Sequence, residues 1–194
     1  MSAITILPAT ASDKQRIIDI LVLAFAADPF ERWMYADPHE YLINYPLFMD
    51  ALITRSFETN NAYYSQSYAG AALWLAPNVQ LDDEKINTVL EQTIDKQKRA
   101  DTMAVMEQMD RYHPHEPHWY LSIIGVDPAQ RGQGLGSRLL QHTLAACDHE
   151  RALAYLESTN PRNISLYERH GFEVLGTIQA GKAPPMFPML RKPR

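Results

Sequence analysis

One cysteine, Cys147, stands in a chain of 194 residues. That excludes an intramolecular disulfide and any site built from several thiolates, structural zinc included. No run of about 18 apolar residues occurs, so no membrane-spanning helix is expected. The longest apolar stretch near the start, Ile17 to Ala27, is interrupted by Asp19 and stopped at Asp28-Pro29. With no basic leader ahead of it, it does not read as a secretory signal, and a cytoplasmic location is the expectation. Positive charge is also short: 18 Lys and Arg face 23 Asp and Glu, a formal net charge of −5. A large nucleic-acid interface needs the opposite balance. Internal repeats and low-complexity tracts are absent. The segment His113-Pro114-His115-Glu116-Pro117-His118 has ligand-type side chains. Its prolines keep it extended and His-x-His alone is not specific, so no metal is expected.

What is present fits one folded unit spanning 1–194, with 46% apolar and 21% charged residues. Ile4 to Pro8 alternates as a short strand. Ser12 and Asp13 offer caps for a helix with Ile17, Ile20, Leu21, Ala24 and Phe25 on one face, ended at Asp28-Pro29-Phe30. A second helix is predicted over 39–57, with Leu42, Ile43, Leu47, Phe48, Leu52 and Ile53 apolar and a kink or break at Pro46. Strands over 62–66 and 69–75 form a hairpin around Ser67. From Asp82 to Tyr112 the pattern is helical, with a break over 95–101. One stripe carries Ile86, Val89, Leu90 and Ile94; Met103, Met106 and Met109 form another, read as core packing. A strand over 118–126, a helix over 136–149 and a strand over 153–157 make a parallel pair with a crossover helix. A helix over 162–170 and strands over 172–177 and 186–190 close the chain.

The most informative segment joins that crossover's first strand to its helix: Val126-Asp127-Pro128-Ala129-Gln130-Arg131-Gly132-Gln133-Gly134-Leu135-Gly136-Ser137. Glycine permits positive φ and close backbone approach to a ligand. A helix start leaves its first amides unpaired, and its dipole favours an anion. Arg131 adds a full positive charge. The pattern predicts a cradle for a phosphate or pyrophosphate. It lacks the Gly-Lys-Ser/Thr ending of a Walker loop, and Ser137 and Leu139 stand where a dinucleotide fingerprint starting at Gly132 or Gly134 needs its third glycine. Glu157 does lie near the place of a ribose-binding acid, so a nucleotide-binding protein stays a rival reading.

This segment resembles motif A of the GNAT superfamily of acetyl-CoA-dependent N-acetyltransferases, Arg/Gln-x-x-Gly-x-Gly/Ala, through Arg131, Gly134 and Gly136. The stretch from Asn160 to Phe172, with Leu166-Tyr167-Glu168 leading into Gly171-Phe172, is similar to that family's second signature. The resemblance covers about residues 118–177. It implies an α/β fold: a mixed, mostly antiparallel sheet of about six to seven strands, helices on both faces and splayed central strands.

The resemblance further implies that acetyl-CoA is the co-substrate. Its pyrophosphate would lie on the amides of Arg131, Gly132, Gln133, Gly134, Leu135, Gly136 and Ser137, and its pantetheine arm along the strand edge at Ile124, Gly125 and Val126. Gly125 also fits a bulge. Asn160 is read both as a helix cap before Pro161 and as a pantetheine contact. Tyr167 takes the place of the general acid that protonates the leaving thiolate, although alone it reads equally as a packed aromatic. Family members often draw a general base from the strand before motif A. Ser122 with a water, His118, Glu116, Glu31, or a free amine with water all stay open. The acceptor site is expected around Asp28 to Tyr35 and Met186-Phe187, with Phe30, Trp33 and Tyr35 as an apolar wall and Glu31 holding a cationic amine. A small-molecule amine is the expected acceptor. A peptide or protein amine and a non-catalytic acyl-CoA-binding module are the alternatives. A monomer or homodimer is expected, without nucleic acid or membrane as partner.

Overall fold

The computed structural model describes residues 4–194. Strand β1 spans Ile6–Pro8 and helix α1 Lys14–Phe25. Ahead of α1, a short 3-10 turn is held by reciprocal bonds between Thr10 and Asp13. Helix α2 spans Pro29–Met34 and α3 Pro38–Glu58. Strands β2 (Ala62–Ser65) and β3 (Gly70–Leu75) form the hairpin. Helices α4 (Asp83–Thr93) and α5 (Arg99–Tyr112) follow. Then come β4 (His118–Val126), α6 (Leu135–His149), β5 (Leu153–Ser158), α7 (Ile164–Arg169), β6 (Phe172–Val174) and β7 (Phe187–Arg191).

The seven strands form one sheet in the order β1-β2-β3-β4-β5-β7-β6, antiparallel except for β4–β5. That parallel pair is joined through α6, as its pattern predicts. Helices cover both faces. Toward α1 to α5 the core holds Ile17, Leu21, Tyr45, Met49, Leu73, Ile86 and Ile123. Toward α6 and α7 it holds Trp74, Trp119, Leu121, Leu139, Leu140, Leu156 and Phe172.

Four local expectations are corrected. Asp28-Pro29 opens a helix as well as closing one: the Asp28 carboxylate accepts from the amides of Phe30 and Glu31, and proline stands at the first helical position, where no amide partner is needed. Helix α3 runs unbroken through Pro46. Of its expected apolar positions Phe48 and Ile53 are buried and Leu52 packs on the core, whereas Leu42, Ile43 and Leu47 are exposed and their place is taken by Tyr41, Tyr45 and Met49. Of the three α5 methionines, Met106 and Met109 pack on the core and Met103 is exposed. No helix among the described residues is long and apolar enough to cross a membrane.

Candidate functional site

The glycine loop enters α6 through two left-handed residues, Gly132 (φ +78°) and Gly134 (φ +80°). A side chain at either would meet no atom within 4 Å, so the space above the loop is open. Seven consecutive amides, from Arg131 to Ser137, find no acceptor among the described residues. The first amide after them that is engaged is Arg138, which donates to the Gly134 carbonyl at 3.1 Å. Unpaired donors at a helix start, in an exposed loop, suit an anion. A cleft of about 350 Å³ lined by Ser65, Ser67, Ala69, Gln130, Gln133 and Leu135 runs beside them. The Arg131 side chain does not point into this space; its guanidinium donates to the Ala24 carbonyl at 2.8 Å, closing the end of α1. The loop's electrostatic offering is therefore its backbone. Ser137 is held through its hydroxyl by His170 at 2.9 Å. Burial and the nearby Arg169, Arg191 and Arg194 push that imidazole below its ordinary pKa, which keeps it neutral.

Strand β4 splays from β5 as expected. The two pair only over His118–Tyr120, so from Leu121 to Val126 the β5-facing edge of β4 has no strand against it. Ile124, Gly125 and Val126 pair on their other side with Ala72, Ala71 and Gly70. The bulge is not at Gly125. Leu73 pairs with Ile123 and Trp74 with Leu121, so the extra residue is Ser122, whose hydroxyl donates to the Leu73 carbonyl at 3.0 Å. Gly125 has another reason to be glycine: a Cβ there would sit 2.8 Å from the Ala24 Cβ and 3.0 Å from Leu21 Cδ2. The bulge also reverses the strand's alternation. Tyr120 joins the core toward α4 and α5, while Ile124 and Val126 join the core toward α6. Positions 118, 120, 122, 124 and 126 thus do not share one face.

Asn160 caps the turn Pro161–Asn163, accepting from the Arg162 amide at 3.1 Å. Tyr167 on α7 is 5% exposed and packs edge-on against Phe172, with ring centroids 6.1 Å apart. Its hydroxyl makes no hydrogen bond among the described residues and is not sealed from solvent. Burial, then the charge of Asp28, push its phenol well above the ordinary value. Asp28 thus reaches from α2 to the end of β5, where it also accepts from the Thr159 hydroxyl at 2.8 Å. Sequence reading placed Asp28 in the acceptor segment but not as the link between α2, Thr159 and Tyr167. The signal was the Asp-Pro pair itself.

On the opposite face of the sheet, Glu31 lies beneath α2, 6% exposed, with one carboxyl oxygen fully buried and unpartnered. The Tyr45 hydroxyl is buried and unpartnered as well. Burial, then Asp28, push the Glu31 carboxyl well above its ordinary value; burial first, with Glu31 adding to it, also raises Tyr35, Tyr41 and Tyr45. Phe30 is buried and Trp33 partly buried; their rings are 5.7 Å apart, with the Lys98 ammonium over the Trp33 ring. The structure therefore brings Phe30, Trp33 and Tyr35 into one cluster with Met186, with Glu31 buried beside them on α2. Two candidate bases lie elsewhere. Glu116 is exposed, and His118 stands at the far end of β4 from the bulge, 2.9 Å from His113. Among the described residues, no three His, Cys, Asp or Glu side chains are grouped to hold a metal ion.

Residues 103–172, from α5 to the start of β6, match the model of the acetyltransferase (GNAT) family. The crystal structure of a histone acetyltransferase HPA2 and related acetyltransferase from Corynebacterium glutamicum is 30% identical, with a TM-score of 0.74, over 100% of this chain and 98% of that one. A mycothiol acetyltransferase of Streptosporangium roseum is 42% identical over 69 residues, 32% of this chain. An uncharacterised N-acetyltransferase of Schizosaccharomyces pombe is 27% identical over 146 residues, 65% of this chain. The chain spans only 20% of the first of these two and 57% of the second.

Proposed function

The chain belongs to the acetyltransferase (GNAT) family, and from that footing we propose that it moves an acetyl group from acetyl-CoA to the primary amine of a small molecule by direct attack. One observation carries the reading: seven successive amides, Arg131 to Ser137, are left without acceptors beside the partnerless edge of β4. That donor set fits a diphosphate, and the open edge from Ile124 to Val126 fits an amide-bearing arm. Bound there, acetyl-CoA supplies the thioester that the amine attacks.

The residues divide the work. The helix start and the two left-handed glycines hold and orient the diphosphate without a side chain in the way. The bulge at Ser122 turns backbone donors out of the ladder, where they are available to an oxyanion. Tyr167, protonated at neutral pH and with a free hydroxyl, donates to the leaving thiolate. Glu31 supplies a desolvated carboxyl that draws in the amine as its cation, which gives one proton to water before its lone pair attacks, and Phe30 and Trp33 an apolar wall beside it. A buried carboxyl lacking a partner gains most from a small cation that can enter with it.

The test is a free-thiol screen with acetyl-CoA over small amines, polyamines, aminoglycosides and peptides, alongside ligand-induced melting shifts. Acetyl-CoA should raise the melting temperature and a small amine should release thiol. A larger shift with NAD or ATP, or thiol release with peptides alone, would overturn the corresponding part of the reading.

A further inference from the structure

The acceptor face holds a second buried carboxylate, Glu157, whose place in the fold is specific. Counting on from the last β4–β5 pair, Tyr120 with Tyr155, Glu157 is level with Ser122, the bulged residue at which the strands part. It shares a strand face with Tyr155, turned away from α6, the same side of the sheet as Glu31. Its side chain is 4% exposed. Oε2 accepts from the Tyr120 hydroxyl at 2.9 Å, while Oε1 is buried and has no hydrogen-bond partner. A buried carboxylate oxygen without a donor is costly and needs an explanation.

Behind it stands a line of imidazoles. His113 Nδ1 is 3.8 Å from Glu157 Oε1, His113 Nε2 is 2.9 Å from His118 Nε2, and His118 Nδ1 is 2.8 Å from the Glu116 carbonyl. Donor logic fixes the order of protons. A carbonyl only accepts, so His118 Nδ1 carries hydrogen. Burial above all, with His113 beside it, lowers the His118 pKa and keeps it neutral, so its Nε2 accepts and His113 Nε2 donates. In a neutral ring that leaves His113 Nδ1 bare, and it faces Glu157. The His113 side chain is 36% exposed, which opens the line to solvent.

We propose that Glu157 is the general base that takes the proton from the attacking amine, with His113 and His118 as positioning residues that pass it to water. This rests on the acetyl-transfer reading given above. As the amine nitrogen bonds to the acyl carbon, its proton moves to Glu157 Oε1. The carbon–sulfur bond breaks, sulfur keeps the electron pair and takes the Tyr167 proton, and solvent returns a proton to the Tyr167 oxygen. Glu157 hands its proton to His113 Nδ1, and solvent removes it. The other titratable groups facing Glu157 are Tyr120 on β4 and Tyr155 on β5; Tyr112 on α5 lies by Tyr155, and Asp83 on α4 by Tyr120 and His113. Burial first raises Tyr120 and Tyr155, so both phenols stay protonated through the working range.

The experiment compares wild type, Glu157→Gln and His113→Gln with an amine that releases thiol in the screen. It records kcat against pH and, separately, the acetyl-CoA melting shift. Glu157→Gln should keep the melting shift and lose about 10²-fold or more in kcat at neutral pH, with the residual rate rising steadily as the free amine fraction grows. His113→Gln, on the partly exposed side, should fold normally and displace the acidic limb of the profile. Unchanged kcat and pH profile in both variants would overturn the assignment of Glu157 while leaving acetyl transfer intact. A wild-type protein that neither binds acetyl-CoA nor releases thiol would overturn both.

Discussion

Gly134→Ala tests the loop with two separable readouts. Gly134 is at φ +80° and a Cβ there would touch nothing within 4 Å, so the substitution perturbs the free protein only through backbone strain. A non-glycine residue in the left-handed region costs about 1–2 kcal/mol. For a chain of this size each kcal/mol lowers Tm by roughly 2–4 °C, so the free variant should melt about 2–8 °C lower. The ligand effect is larger. Acetyl-CoA at a hundred times its Kd stabilises the wild type by about 2.7 kcal/mol, which is a rise of roughly 5–11 °C. If the new methyl and the altered loop weaken binding about a hundredfold, the same concentration only equals Kd, and the rise shrinks to about 1 °C. Differential scanning fluorimetry with and without acetyl-CoA measures both. A variant that melts lower yet keeps the full ligand-induced rise would refute the claim that the coenzyme lies on these amides.

Three further outcomes follow from named contacts. Tyr167→Phe should leave the acetyl-CoA melting shift intact and lower kcat by about 10²-fold or more; an unchanged kcat with chemistry rate-limiting would remove Tyr167 from the acid role. Gly125→Ala forces a Cβ to 2.8 Å from Ala24 and should cost about 1–3 kcal/mol, read as a fall in the urea midpoint; wild-type stability would contradict the close approach of α1 to β4. The raised folded pKa of Glu31 means the folded state holds that proton more tightly than the unfolded one. Its contribution is therefore fully present below the ordinary carboxylate value of 4.5 and declines as pH rises above it. Glu31→Gln should flatten that decline in urea midpoints measured from about pH 4.5 to 8, and equal slopes in the two proteins would count against a buried, proton-holding Glu31.

The parts of the fold legible in the sequence were those with a local physical signature. A mostly apolar run stopped at Asp127-Pro128 marked β4 over its full extent, His118–Val126, and the glycines marked where α6 begins. The Asp-Pro pairs were half legible. The same dipeptide that stops one helix by removing an amide also starts the next by capping it, so α2 was hidden behind the end of α1. Asn160-Pro161 was read correctly because no helix precedes it closely. The bulge had a plausible address at Gly125, since glycine often marks one. Only the register of β3 shows that Ser122 is the inserted residue and that Gly125 makes room for Ala24. Spacing marked Glu157 only as lying near the place of a ribose-binding acid; its burial against Tyr120 and His113 depends on other segments of the chain. Arg131 had the right charge for a phosphate and spends it on the Ala24 carbonyl, a partner 107 positions away.

The extra residue at Ser122 has a practical corollary for anyone altering this protein. Parity inverts along a single strand: before it, even-numbered side chains look toward α4 and α5, whereas after it they look toward the crossover helix. Substitutions at Tyr120 therefore perturb the packing under α4 and α5 and those at Ile124 the packing under α6, while deleting Ser122 would restore regular alternation and leave both side chains on the faces they already hold.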